Sequence, residues 1–145
     1  MHIREAVSDA ELKSLYVVLH QLRPQYTSAE ALLAVLLPAV RGEGLRVLAC
    51  YDEGSVVAVL TFRVQTMLSR GRVAYVDDLV TAEHARSRGY GKALLDQLIT
   101  LARQLGLAAI HLDSGVQRYD AHRFYLRERF AIRCHHFQRT LDGQP

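Results

Sequence analysis

An α+β fold is predicted, a mixed, mostly antiparallel central sheet with helices on both faces, from three observations. Two helix-capping signals precede apolar residues at helical spacing between Ser8 and Leu37. From Leu45 to Val80 the pattern becomes strand-like and is broken twice by short polar turns. A single strand-helix-strand passage then follows, which should be a right-handed, parallel crossover.

Met1 to Glu5 reads as a short first strand. Ser8-Asp9-Ala10-Glu11 has Ser at an N-cap and Glu three residues on, and Leu12, Leu15, Tyr16 and Leu19 continue it at helical spacing until Pro24. A second box, Thr27-Ser28-Ala29-Glu30, opens a helix carrying Leu32, Leu33, Leu36 and Leu37, which Pro38 should kink or shorten. Leu45 to Tyr51 and Val56 to Met67 form a hairpin around Asp52-Glu53-Gly54-Ser55. Ser69-Arg70-Gly71 turns the chain into a third meander strand, Val73 to Val80. A long helix follows, with an apolar face of Ala93, Leu94, Leu98, Leu101, Ala102 and Leu105, and Gly106 is its left-handed stop. Leu107 to Asp113 is a strand, Tyr119 to Arg129 a short helix, and Ile132 to Leu141 a last strand, giving β-α-α-β-β-β-α-β-α-β. With 145 residues and no linker or repeat, residues 1–145 are expected to form one domain.

Composition narrows the function. Half the residues are hydrophobic and 23% charged, as in ordinary globular proteins. No apolar run approaches the roughly 20 residues that span a bilayer, and nothing resembles a signal peptide, so no membrane association and a cytoplasmic location are the expectation. Cys50 and Cys134, each in an apolar segment, are read as buried reduced thiols. The net charge is +3, carried by 16 arginines with only Lys13 and Lys92 beside them. Arginine forks suit phosphate oxygens, but the basic residues form no run and no aromatic-basic interleaving, so nucleic acid is not an expected partner.

The most informative stretch is Arg86-Ser87-Arg88-Gly89-Tyr90-Gly91-Lys92-Ala93, between a strand and the longest helix. A helix start offers unpaired N–H groups and partial positive charge, glycines let the backbone approach an anion, and Arg86, Arg88 and Lys92 could add charge-assisted bonds to a pyrophosphate. The glycines alone suit a plain turn equally well. The stretch is neither G-x-G-x-x-G nor G-x-x-x-x-G-K-[ST], which disfavours dinucleotide and P-loop readings.

Arg86-x-x-Gly89-x-Gly91 resembles the R/Q-x-x-G-x-G/A signature of the GNAT superfamily of N-acetyltransferases, between the fourth strand and third helix as in that family. Tyr75-Val76-Asp77-Asp78-Leu79-Val80-Thr81 resembles its fourth strand, and Ala121-His122-Arg123-Phe124-Tyr125 its A-x-x-F/L-Y helix segment. The likeness covers the element order from residue 1 to about 141 and is close over 73–130. It implies acetyl-CoA as cosubstrate, and the absence of His/Cys ligand spacing makes no metal the expectation. The backbone of Arg86, Ser87, Arg88, Gly89, Tyr90, Gly91 and Lys92 would hold the pyrophosphate, that of Leu79, Val80 and Thr81 would pair with the pantetheine arm, and Tyr125 would lie near the sulfur. Two positions depart from the family: Arg118 stands where Asn is common, and Arg129 replaces the glycine before Phe130.

Acetyl transfer to an amine needs a base for the ammonium, support for the oxyanion and an acid for the thiolate. Tyr125 is the candidate acid on the resemblance, although its spacing with Ala121 and Phe124 also suits a core aromatic. Asp77 and Asp78 stand in an apolar strand that disfavours them, so one of them is the candidate base or cation site. Alternation lets only one face a cleft unless a bulge re-aims them. A charged strand edge is the competing reading. A backbone N–H of the same strand is the oxyanion donor. His111-x-Asp113 on one strand face could line the substrate pocket, whereas the histidines have no metal-ligand spacing. The reading is an N-acetyltransferase with a small-molecule amine or a protein amine as acceptor, and with homodimerisation as in many relatives. The alternative is a non-catalytic acyl-CoA-binding or sensory module on the same fold.

Overall fold

The computed structural model describes residues 1–141, which divide into a unit from Met1 to Leu112 and a smaller one from Asp113 onward. In the first, β1 (His2–Glu5) precedes three helices: α1 (Asp9–Ser14), α2 (Tyr16–Leu22) and α3 (Ala29–Gly42). The meander β2 (Leu45–Asp52), β3 (Ser55–Met67) and β4 (Gly71–Thr81) follows, then a short turn of 3-10 helix at Glu83–Ala85, α4 (Tyr90–Gln104) and β5 (Ala109–Leu112). The second unit holds α5 (Tyr119–Arg127).

The strands lie in the order β1-β2-β3-β4-β5, antiparallel except for the β4–β5 pair, which is parallel as a strand-helix-strand crossover requires. Consecutive residues from Val56 to Phe62 in β3, and from Val47 to Tyr51 in β2, are all buried. A sheet with one wet face would alternate, so both faces are covered here. The helices do the covering: α2 packs on β3 and β4, α3 on β2, and α4 on β2, β3 and β4. Leu94 and Leu98 of the amphipathic stripe that the sequence displays are fully buried, and so is Leu95 beside it.

Local chemistry explains where the elements start and stop. Ser8 accepts from the Glu11 backbone N–H while the Glu11 side chain accepts from that of Ser8, a complete capping box. The expected single first helix is broken at Leu15, where the backbone bonds run from Leu15 to Leu12 and from Val18 to Leu15 in tight three-residue steps. The second cap is Ser28 rather than Thr27: its hydroxyl accepts from the Ala31 N–H at 3.0 Å. Pro38 sits inside α3 without ending it, and α4 stops before Gly106 as its sequence requires.

Three expectations fail. Among the described residues no strand forms over Ile132 to Leu141, where Ile132, Phe137 and Leu141 are exposed. Apolar alternation marks a strand only if a sheet edge receives it. Cys134 lies in that segment and is exposed, against the expected burial, whereas Cys50 is buried in β2, and burial pushes its thiol pKa up. The strand expected over Leu107 to Asp113 ends at Leu112, so alternation does not carry Asp113 onto the face of His111.

The α4 stripe is where the fold is most sensitive. Leu98→Ala, at a site with no exposed surface, should lower unfolding free energy by about 2–5 kcal/mol in urea denaturation, with an unchanged m-value.

Candidate functional site

The β3–β4 ladder carries an irregularity where the two aspartates lie. Thr61 opposes Asp78 and Phe62 opposes Val76, which leaves Asp77 as an extra residue in β4. Such a bulge breaks strict alternation. Both carboxylates therefore line one cavity of about 340 Å³, walled by Leu19 of α2, by Leu32 and Leu36 of α3, and by Leu45 of β2. The sequence left the choice between Asp77 and Asp78 open, and the bulge brings both to the same cavity.

Each aspartate has its own partners. Arg23, just beyond α2, donates Nε–H to Asp78 Oδ1 at 2.8 Å, and the Thr61 hydroxyl donates to Asp78 Oδ2 at 3.2 Å. Asp77 pairs with Arg63 of β3, whose guanidinium also lies 3.8 Å from Glu43. Burial raises the pKa of Asp77; the Arg63 charge opposes that shift and the neighbouring Asp78 adds to it. Arg23 and Arg63 were not singled out from sequence. Arg63 did carry a signal, as the first charged residue in the apolar run from Val56. Arg23 gave none, because its partner is 55 residues away.

Beyond Val76 the pairing of β4 changes. β5 runs beside it only from Val73 to Val76, while Leu79, Val80 and Thr81 pair with Leu60, Val59 and Ala58 of β3. On its β5 side, this last stretch of β4 has no ladder with β5. The chain then passes through Glu83–Ala85 to the glycine-bearing turn.

Gly89 is the N-cap of α4 at φ 86°, a left-handed conformation that glycine adopts without penalty, and no side chain caps the helix. A Cβ at Gly89 would meet nothing within 4 Å, so the space over the helix start is open on that side. A Cβ at Gly91 would stand 3.3 Å from the Thr81 hydroxyl, which is how closely α4 approaches the end of β4. Ser87 is also left-handed, at φ 62°. An uncapped helix start of this kind is suited to an anion.

The side chains around the turn differ in what they do. Tyr90 points into the core and donates its hydroxyl to Asp52 Oδ2 at 2.5 Å, which raises the tyrosine pKa and lowers that of the aspartate. Arg88 lies 3.7 Å from the same carboxylate. Arg86 faces Glu83 at 3.9 Å and Lys92 pairs with Asp96 one turn on at 2.8 Å, both on the exposed surface. Asp52, which the sequence offered only as a hairpin-turn residue, ties the turn to β2.

In the second unit, Tyr125 packs edge-on against Phe124 and Phe130, with ring centroids 5.3 and 5.7 Å apart. The Phe130 N–H donates to the Tyr125 carbonyl at 2.9 Å and the Arg129 N–H to that of Leu126 at 3.1 Å, a Schellman closure. Arg129 holds the left-handed position at φ 68° that a glycine would take more easily. Neither His111 nor Asp113 lines the cavity; His111 stacks on Tyr75 at 6.2 Å, and Asp113 lies 3.1 Å from His136. Among the described residues no group of three His, Cys, Asp or Glu could hold a metal, and no helix is long and apolar enough to cross a membrane.

Known proteins carry the same organisation. The acetyltransferase (GNAT) family matches residues 8–130. An uncharacterized N-acetyltransferase of Bacillus subtilis (strain 168), YhdJ, is 33% identical over 142 residues, 97% of this chain and 99% of its own. The aminoalkylphosphonate N-acetyltransferase of Salmonella typhimurium is 33% identical over 90 residues, covering 61% of this chain and 58% of that protein. An aminoglycoside N-acetyltransferase solved in complex with CoA shares the fold at TM-score 0.82 and 15% identity, over 96% of this chain and 93% of that one. The chain belongs to the acetyltransferase (GNAT) family and is an N-acetyltransferase.

Proposed function

We propose that the chain uses acetyl-CoA to acetylate the primary amine of a small molecule directly, in the cytoplasm, with residues 1–145 acting as one acetyltransferase domain. One observation carries the reading: a continuous run from Asp77 to Lys92 joins a cavity with two carboxylates, a strand edge that β5 has left, and an uncapped glycine-bearing helix start. The relative acting on aminoalkylphosphonates supports a small amine as acceptor.

The residues present fit the cosubstrate. The open space over Gly89 and the uncapped N–H groups of α4 suit a pyrophosphate, with the backbone from Arg86 to Lys92 cradling it. Leu79, Val80 and Thr81 offer backbone groups along the β4 edge to the pantetheine amides. Acetyl-CoA supplies a thioester whose carbonyl carbon accepts the amine and whose thiolate leaves.

Asp77 is the base in this reading. It takes one proton from the substrate ammonium, and the freed nitrogen lone pair forms the C–N bond as the C–S bond breaks. A backbone N–H of β4 supports the oxyanion. Asp78, held by Arg23 and Thr61, fixes the cavity wall. Tyr125 is assigned the protonation of the leaving thiolate on the resemblance of its helix segment. The nitrogen's second proton balances that transfer, so the net release is one proton to Asp77.

Three outcomes test these assignments. Acetyl-CoA should raise the melting temperature of the parent protein, and Gly89→Glu should remove that shift by placing bulk and negative charge over the helix start. A folded variant that keeps the shift refutes the phosphate assignment. Asp77→Asn should lower kcat for a cationic amine by about 10²–10⁴-fold with little change in acetyl-CoA affinity. In the parent the rate falls as pH drops through the Asp77 pKa, and because burial raises that pKa, the acid limb should lie above where an unshifted aspartate would put it. The Asn variant should lack this limb. Tyr125→Phe should leave acetyl-CoA affinity intact and lower kcat by about 10²-fold. Parental turnover in the Phe variant would reduce Tyr125 to packing. An acetyl-CoA-dependent melting shift with no CoA release for any amine would identify a binding module instead of an enzyme.

A further inference from the structure

The cavity behind Asp77 has a charge arrangement that selects among amines. Two guanidiniums, Arg23 and Arg63, and two carboxylates, Asp77 and Asp78, line it, so their formal charges cancel (+2 and −2). They sit as two contacting ion pairs, Arg23 with Asp78 and Arg63 with Asp77. The rest of the lining is mostly hydrocarbon, including Leu19, Leu32, Leu36 and Leu45, with Gln25 and Tyr26 as further polar members. Its volume of about 340 Å³ lies at the small end of ligand sites.

A plain cation entering this cavity would take Asp77 and leave Arg63 only its 3.8 Å contact with Glu43, with nothing from the ligand to replace the carboxylate it gave up. A polyamine would add two or more charges to a neutral cavity. A zwitterion adds none. It can insert into the Arg63–Asp77 contact, with its ammonium on the carboxylate and its own carboxylate on the guanidinium. Because those two groups touch, the inserted charges must lie close together, as they do on the single α-carbon of an amino acid. Arg63 is the movable member, since Glu43 already stands 3.8 Å from it as a second anchor. The Arg23–Asp78 pair, braced by Thr61, keeps the wall in place during the exchange.

We propose that the acceptor is an α-amino acid with an apolar side chain, its ammonium on Asp77, its carboxylate on Arg63 and its side chain against the leucine wall. This assignment rests on the N-acetyltransferase reading and specifies its acceptor. Arg63 thereby acts as a specificity residue that binds substrate without taking part in proton transfer.

The test compares L-leucine with 3-methylbutylamine, the same molecule lacking the carboxylate, and with spermidine, by CoA release from acetyl-CoA. Leucine should give the highest kcat/KM, exceeding 3-methylbutylamine by about 10-fold or more, the worth of a charged hydrogen bond. Arg63→Gln should bring that ratio close to one, with folding checked by its melting curve. If the variant does not fold, the leucine-to-amine ratio of the parent protein decides alone. Equal or better turnover of 3-methylbutylamine or spermidine overturns the proposal while the N-acetyltransferase reading stands. An unchanged ratio in a folded Arg63→Gln variant overturns the role of Arg63. Acetyl-CoA binding without CoA release from any of the three amines, or from a wider amine panel, overturns both.

Discussion

The one extra residue in β4 governs the geometry of the cavity. With Thr61 opposite Asp78 and Phe62 opposite Val76, Asp77 has no partner in β3. Regular pairing would send one aspartate to each face of the sheet. The bulge gathers both carboxylates on the cavity, where Arg63 and Arg23 meet them. It also lies just where β5 stops running beside β4. The cavity and the strand edge thus adjoin because one strand both bulges and loses a neighbour at the same place.

The start of α4 depends on this strand as well. Gly91 allows the helix to approach the Thr81 hydroxyl at the end of β4, and Tyr90 is anchored below by Asp52 of β2. The backbone N–H groups of the first turn are therefore held by core packing and by a buried tyrosine rather than by a side-chain cap. A Ser or Asp at the N-cap would satisfy one of those groups internally and leave less for a ligand. Positioning comes from the residues that point inward, while Arg86 and Lys92 pair with Glu83 and Asp96 on the exposed surface.

The end of α5 shows a different balance. Its Schellman closure persists although Arg129, not glycine, takes the left-handed turn, so the hydrogen bonds and the contact of Tyr125 with Phe130 offset the strain of a side chain at φ 68°.

Features set by neighbours in sequence were legible from sequence: the capping box at Ser8, the α4 stripe, the meander and its turns, and the left-handed Gly106. These follow from side-chain periodicity, from hydroxyl caps and from the absence of a Cβ, all of which act within a few residues. The strand read into Ile132–Leu141 failed because a ladder needs a second chain segment that no local pattern encodes. The same limit hid the site's charge pairing. Asp77 and Asp78 were conspicuous in an apolar strand, but Arg23 reaches Asp78 across 55 positions and Arg63 reaches Asp77 across a hairpin. Sequence thus supplied the chemistry of the carboxylates and the helix start. Only the tertiary structure decided that both carboxylates share one cavity with two arginines, because a one-residue offset between paired strands sets which way a side chain points.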